Sequence, residues 1–127
     1  MLCYSKEVVR IRGLFMLKDA MDKRTVRVLM AELRVELQAV YGGRLKGVYL
    51  YGSYARGEAD PESDVDVLVI LEEYDRYSAE IGRTSQLISS LCLKYSVSLS
   101  RVFVSEEKWR SYDSPFLRNA RAEAIAA

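Results

Sequence analysis

The feature that most constrains the fold is the segment 48–70, in which two apolar runs flank a polar turn. The first run ends at Gly52 and Ser53, and the second follows Asp64 and carries Asp66. Both runs are rich in β-branched and aromatic residues, which favours two buried strands joined by a short helix or loop. Because alternate side chains of a strand share a face, the two aspartates point to one side while Val65 and Val67 face the core.

The paired aspartates indicate a metal site. Two like charges on one strand face are unfavourable unless a cation lies between them. Mg²⁺ is commonly held by one or two carboxylates, with substrate phosphates and water completing its shell. We therefore predict Asp64 and Asp66 as metal ligands and catalytic residues.

The glycine-serine turn indicates a phosphate site. Gly52 lets the backbone approach a phosphate closely, and successive N–H groups in such turns form anion-binding concavities. The Ser53 hydroxyl and the Arg56 guanidinium add donors suited to phosphate oxygens. A lone turn of this type is usually only a turn, and a lone pair of aspartates is usually a solvated strand end. The combination of all these residues at this spacing favours binding of a nucleotide with its metal.

The motif resembles that of a known family. The segments 52–57 (G-S-Y-A-R-G) and 63–66 (S-D-V-D) are similar to the signature of the minimal nucleotidyltransferase (MNT) group of the DNA polymerase β-like superfamily, and weaker similarity extends over residues 22–125. The resemblance implies that Gly52 and Ser53 contact the nucleotide triphosphate. It also implies that Asp64 and Asp66 bind two divalent metal ions, and that the fold is the palm-like fold of the superfamily.

Apolar periodicity gives the expected architecture, an α/β (α+β) fold with a small mixed sheet flanked by helices. Residues 1–20 are expected to form a poorly ordered N-terminal extension, and residues 21–127 the nucleotidyltransferase domain. Helices are predicted over 23–41, 78–95 and about 115–124, with a short one from Ser105 through Trp109; strands are predicted over 47–51, 65–71 and 97–104.

One position departs from the family pattern. The superfamily carries a third carboxylate on a later strand, and the corresponding position here is expected to be Ser98, with Ser96 and Ser100 on the same strand face. Glu106 or Glu107 could instead reach back into the site. Since a general base contributes about 10²–10⁴-fold to rate, loss of this acid could leave a slow or inactive enzyme.

Composition narrows the function further. The 127-residue chain has a net charge of +1, so no basic excess marks a DNA-binding surface. It contains no histidine, which excludes Ser-His and Cys-His catalysis, and its two cysteines lack metal-site spacing. We expect a cytoplasmic protein without a membrane span.

Three functions are compatible with these residues. The first is a Mg²⁺-dependent transferase that moves AMP from ATP, or a nucleoside monophosphate from another NTP, onto a hydroxyl. The resemblance implies that this hydroxyl is a tyrosine of a HEPN-type toxin partner, with the chain acting as antitoxin. The second is an inactive antitoxin that acts by contact, and the third a nucleotide sensor. Whether the chain forms a homo-oligomer stays open.

Overall fold

The computed structural model describes residues 19–127, so the extension expected over residues 1–20 lies almost wholly outside the described part of the chain. In chain order the elements are α1 (Lys23–Tyr41), a 3₁₀ turn (Gly42–Arg44), β1 (Leu45–Tyr51), α2 (Ser53–Arg56), β2 (Val65–Leu71), α3 (Tyr77–Tyr95), β3 (Leu99–Ser105), α4 (Glu106–Ser111), α5 (Pro115–Glu123) and β4 (Ile125–Ala126).

The four strands form one mixed sheet in the order β3-β2-β1-β4. β1 runs antiparallel to β2 and to β4, whereas β2 and β3 are parallel and are joined by the crossover helix α3. The expected fold class, a small mixed sheet flanked by helices, is confirmed.

One face of the sheet carries the main hydrophobic core. α1 begins at Asp22, whose side chain accepts a hydrogen bond from the Thr25 N–H at 2.7 Å, and it ends at Gly42 with a positive φ of 56°. Its apolar residues recur at helical spacing, and Leu29, Leu33 and Leu37 are fully buried. They pack with α3 against the inward-facing valines of β2. This layer of α1 and α3 residues forms most of the core that stabilises the sheet.

The opposite face carries a smaller cluster, in which Leu68 and Ile70 of β2 pack against Leu117 and Ala120 of α5. Two aromatic pairs extend it: the rings of Tyr49 and Trp109 lie 5.2 Å apart, and those of Tyr51 and Phe116 lie 5.7 Å apart. Asp66 alternates onto this face with Leu68, so the helix α5 and the aspartate share one side of the sheet.

Several details differ from the sequence prediction: β1 begins at Leu45 rather than at residue 47, and the short helix α4 ends at Ser111 rather than at Trp109. β3 begins at Leu99 rather than at residue 97, because Ser96 adopts a left-handed conformation (φ 51°) that ends α3. Ser96 and Ser98 therefore both lie outside the strand, which includes Ser100. The two-residue strand β4 was not predicted, since so short and exposed a segment has no periodic signal.

Among residues 19–127, no helix is both long enough and apolar enough to cross a bilayer.

Candidate active site

The turn between β1 and α2 places a backbone N–H at the edge of a cleft. Gly52 has φ 80° and ψ −158°, a conformation that is essentially restricted to glycine. A β-carbon at Gly52 would collide with the carboxylate of Asp66. The turn and the carboxylate thus come together because position 52 has no side chain. Gly57, also with positive φ, ends the short helix α2.

Asp66 lies inside β2, paired with Tyr51 of β1 on one side and with Ser100 of β3 on the other. Asp64 is exposed and lies immediately before the same strand. Alternation along the strand places Asp66 on the α5 side of the sheet, opposite the buried Val65 and Val67, whereas Asp64 lies outside the strand.

A cleft of about 510 Å³ opens over this end of the sheet. Gly52, Ser53, Arg56 and Asp66, four of the five predicted site residues, line it, and Asp64 is not among its lining residues. The remaining lining residues come from β1 and α5: Tyr51, Phe116, Asn119, Ala120, Ala122 and Glu123.

The pKa of Tyr51 reports the negative charge of the cleft. Burial, followed by the negative charges of Asp66 and, more weakly, Glu123, raises the pKa of Tyr51 to about 12; the neighbouring Tyr77 contributes in the same direction. The carboxylates therefore create a negative potential on this face, which a bound cation would relieve.

Arg56, predicted as a phosphate ligand, is engaged by two carboxylates. Its Nε donates to Glu58 at 2.9 Å, and its Nη1 donates to both oxygens of Glu123 at 3.1 and 3.2 Å. These contacts, that with Glu58 first, raise the pKa of Arg56. Glu123 also accepts a hydrogen bond from the Gly52 N–H at 2.6 Å. Sequence reasoning missed Glu123, because it lies 71 positions from Gly52 and belongs to no local motif.

The described residues fit a Mg²⁺ ion that is bound together with a nucleotide. Within residues 19–127 no group of three or more histidine, cysteine or acidic side chains is placed to hold a metal by itself. Asp66, beside the Gly52 turn, and Asp64, directly before the same strand, supply the carboxylates that Mg²⁺ needs when substrate oxygens and water complete its shell. Asp64 and Asp66 are the residues that would hold it.

Serines occupy the start of β3, where the family pattern has its third acid. Ser100 is in register with Asp66, and Ser98, directly before the strand, accepts a hydrogen bond from the Val65 N–H through its carbonyl at 2.9 Å. The suggestion that Glu106 or Glu107 reaches the site is wrong. Both residues follow the far end of β3, whose seven residues separate them from Ser98 by roughly 25 Å of strand rise.

Fold and site together define a nucleotidyl-transferring class of protein: a mixed sheet, a glycine-serine turn after one strand and a carboxylate on the next. The sequence profile of the family described as "Nucleotidyltransferase domain" matches residues 30–121. The chain therefore belongs to the nucleotidyltransferase domain family and is a transferase enzyme, as expected from its motif.

Individual relatives point the same way. A candidate protein adenylyltransferase of Methanocaldococcus jannaschii, MJ0604, is 34% identical over 88 residues, covering 68% of this chain and 82% of that protein. Two solved structures share the fold. One is a toxin–antitoxin complex with AMP-PNP (20% identity, TM-score 0.54, covering 75% of this chain and 69% of that one). The other is a tri-AMPylated Shewanella oneidensis HEPN toxin in complex with an MNT antitoxin (15%, 0.53, 79% and 69%).

Proposed function

We propose that this nucleotidyltransferase transfers AMP from Mg²⁺-bound ATP to a tyrosine hydroxyl of a HEPN-type toxin, and so acts as its antitoxin. The observation that carries the proposal is the contact between the Gly52 turn and Asp66. It puts an anion-binding N–H beside a carboxylate suited to a metal, the arrangement that a metal-bound triphosphate requires.

Each site residue has a role in this reaction. The Gly52 N–H, the Ser53 hydroxyl and the Arg56 guanidinium hold the triphosphate, and Asp64 and Asp66 hold the metal. When bound, Mg²⁺ neutralises the charge that develops on the phosphate oxygens. The acceptor oxygen forms a bond to the α-phosphorus, the bond from that phosphorus to the bridging oxygen breaks, pyrophosphate leaves and the hydroxyl proton passes to water.

The serines that replace the family's third acid at the start of β3 do not prevent this reaction. Transfers at phosphorus depend mainly on positioning and on electrostatic stabilisation, both of which the turn and the metal provide. A positioned base would add about 10²–10⁴-fold, so we expect a slow enzyme. Modification of a toxin needs few turnovers, and a slow rate suits that role.

The choice of AMP, of ATP and of a protein acceptor is supported by the relatives. The similar M. jannaschii protein is a candidate protein adenylyltransferase, one structural neighbour was solved with AMP-PNP, and another contains a tri-AMPylated HEPN toxin. We extend to this chain a nucleotide substrate, a HEPN-type partner and a cytoplasmic location. Association with a second copy of the chain is compatible with the exposed edge of β3.

A second function is favoured by the serines at positions 98 and 100. If the site lacks sufficient catalytic power, the chain would neutralise its partner by contact alone and keep nucleotide binding as a remnant. This alternative predicts a stable complex without any modified acceptor.

Intact-mass spectrometry of a HEPN-type protein co-expressed with this chain separates the two functions. With the wild-type chain we expect the partner to gain the mass of one or more AMP groups. With the Asp64→Asn/Asp66→Asn variant we expect no gain, because the charge that holds the metal is removed while side-chain volume is nearly unchanged.

Asp113→Asn is the matched control, since Asp113 is exposed, forms an ion pair with Arg118 at 3.0 Å and does not line the cleft. It should leave the modification intact. An unmodified partner that is nevertheless neutralised by both the wild-type and the double-variant chains would favour the contact function and refute the transferase.

A further inference from the structure

A side chain of the protein itself, that of Glu123, binds the proposed phosphate-binding turn at Gly52. Glu123, the last residue of α5, accepts a hydrogen bond from the Gly52 N–H at 2.6 Å and two from Arg56 at 3.1 and 3.2 Å. Its side chain is 22% exposed, so the contact is partly shielded from water. The Glu123 carboxylate thus accepts hydrogen bonds from two of the groups assigned to the triphosphate, the Gly52 N–H and the Arg56 guanidinium.

The Gly52 N–H cannot serve both anions at once. The single Gly52 N–H points at one acceptor, and a phosphate oxygen placed there would lie against the carboxylate of Glu123, where like charges repel. We propose that Glu123 closes the phosphate-binding turn in the nucleotide-free enzyme and competes directly with the incoming triphosphate. The inference rests on the proposed function, since it takes Gly52 and Arg56 as phosphate ligands.

Elements on both sides of Glu123 hold it in this position. Leu117 and Ala120 anchor α5 in the cluster on this face. After the helix, β4 pairs with β1, and the Ala127 N–H donates to the Val48 carbonyl at 2.9 Å. Release therefore requires only rotation of the Glu123 side chain, which is fast compared with any unfolding of the segment.

Glu58 provides a control for charge alone. It shares Arg56 with Glu123, at 2.9 Å from Nε, but it has no contact with the Gly52 N–H among the described hydrogen bonds, and its side chain is 65% exposed. Removing either acid frees a part of Arg56 and lowers the negative charge of the region. Only removal of Glu123 also frees the turn.

The test is calorimetric titration of AMP-PNP with Mg²⁺ into the full chain and its variants. Glu123→Gln should lower the Kd for AMP-PNP by about tenfold, as expected when charge-assisted hydrogen bonds no longer compete. Glu123→Asp, which keeps the charge but shortens the reach, should lower the Kd in the same direction. Glu58→Gln should change it by less than about threefold, the range of an exposed ion pair.

Three other outcomes of the titration would contradict the proposal. An equal Kd for the wild type and both Glu123 variants, with folding confirmed by circular dichroism, would overturn the competition. Weaker binding by Glu123→Gln would also overturn it, by showing that Glu123 assists the nucleotide or its metal. Absence of AMP-PNP binding by every variant, the wild type included, would refute the proposed function and this inference with it.

Discussion

The two faces of the sheet differ in what they bury. Within the described residues, the face under α1 and α3 holds a cluster of 19 buried residues, whereas the face under α5 holds a cluster of five. The second face also carries Asp66 and the cleft. Side chains alternate along β2, so this one strand contributes core residues to one face and Asp66 to the other. Adjacent residues of β2 therefore serve stability and chemistry in turn.

Two glutamates, Glu80 on the side of the main core and Glu123 on the side of the cleft, differ in the same way. Glu80 of α3 is 3% exposed and is fully engaged: it accepts a hydrogen bond from the Tyr41 hydroxyl at 2.7 Å and pairs with Arg83 at 3.3 Å. Burial and the bond to Glu80 raise the pKa of Tyr41. Glu123 makes comparable bonds but at the wall of an open cleft, where a ligand can replace it. The first acid is structural, and the second can be exchanged.

The largest effect should come from the main core. Leu33→Ala removes a fully buried side chain of α1, and we expect a loss of about 2–5 kcal/mol in the free energy of unfolding. Leu117→Ala, in the smaller cluster and 5% exposed, should fall near the lower limit of that range. Urea denaturation of both variants measures the difference. Equal losses would contradict the assignment of stability chiefly to the α1 face.

A smaller loss of stability, with complete loss of function, should follow a change at the turn. Gly52→Ala meets the strain of a glycine-only conformation, about 1–3 kcal/mol, and a collision with Asp66. Gly57→Ala meets strain alone, about 1–2 kcal/mol, because no atom lies within 4 Å of its added carbon. Thermal unfolding and AMP transfer should be measured for both. Transfer retained by Gly52→Ala would contradict the site geometry.

The smallest effect concerns pH and involves one tyrosine from each face. The folded-state pKa of Tyr51 is about 12 and that of Tyr41 is raised as well, whereas the unfolded value is about 10. The unfolded chain therefore loses these protons first, so their contribution is complete below pH 10 and is lost as pH rises towards 12. Unfolding curves between pH 9 and 12 should show this decline.

Phenylalanine variants show how much each tyrosine contributes to the loss of stability above pH 10. Tyr51→Phe should reduce the slope of stability against pH above pH 10, since the variant has no hydroxyl to ionise there. Tyr41→Phe should reduce the slope too, but it should also lower stability at neutral pH by about 1.5–3 kcal/mol, because Glu80 loses its hydrogen bond. An unchanged slope in both variants would contradict the raised pKa values.

The parts of the fold that could be predicted are those with local signals. α1 was predicted with its observed bounds, because apolar spacing, the Asp22 cap and the Gly42 end agree. β2 was predicted with its observed bounds too, as an uninterrupted apolar run. Four of the five predicted site residues line one cleft, since they lie within fifteen positions of one another, in the turn and short helix after β1 and on the adjacent strand β2.

What could not be predicted depends on contacts distant in sequence. The bond between Gly52 and Glu123 and the pairing of β4 with β1 arise only after the chain has folded back on itself. The start of β3 was misplaced because a serine, rather than the glycine usual at such positions, takes the left-handed conformation that ends α3.

The central claim is that AMP, rather than phosphate, moves to a protein tyrosine at the Asp66 face. The most direct measurement compares ATP labelled at the α-phosphate with ATP labelled at the γ-phosphate, each incubated with Mg²⁺, this chain and a HEPN-type partner. We predict that only the α-label becomes fixed to the partner, on tyrosine, and that Asp64→Asn/Asp66→Asn abolishes it. Transfer of the γ-label, or neutralisation of the partner with neither label attached, would contradict the account.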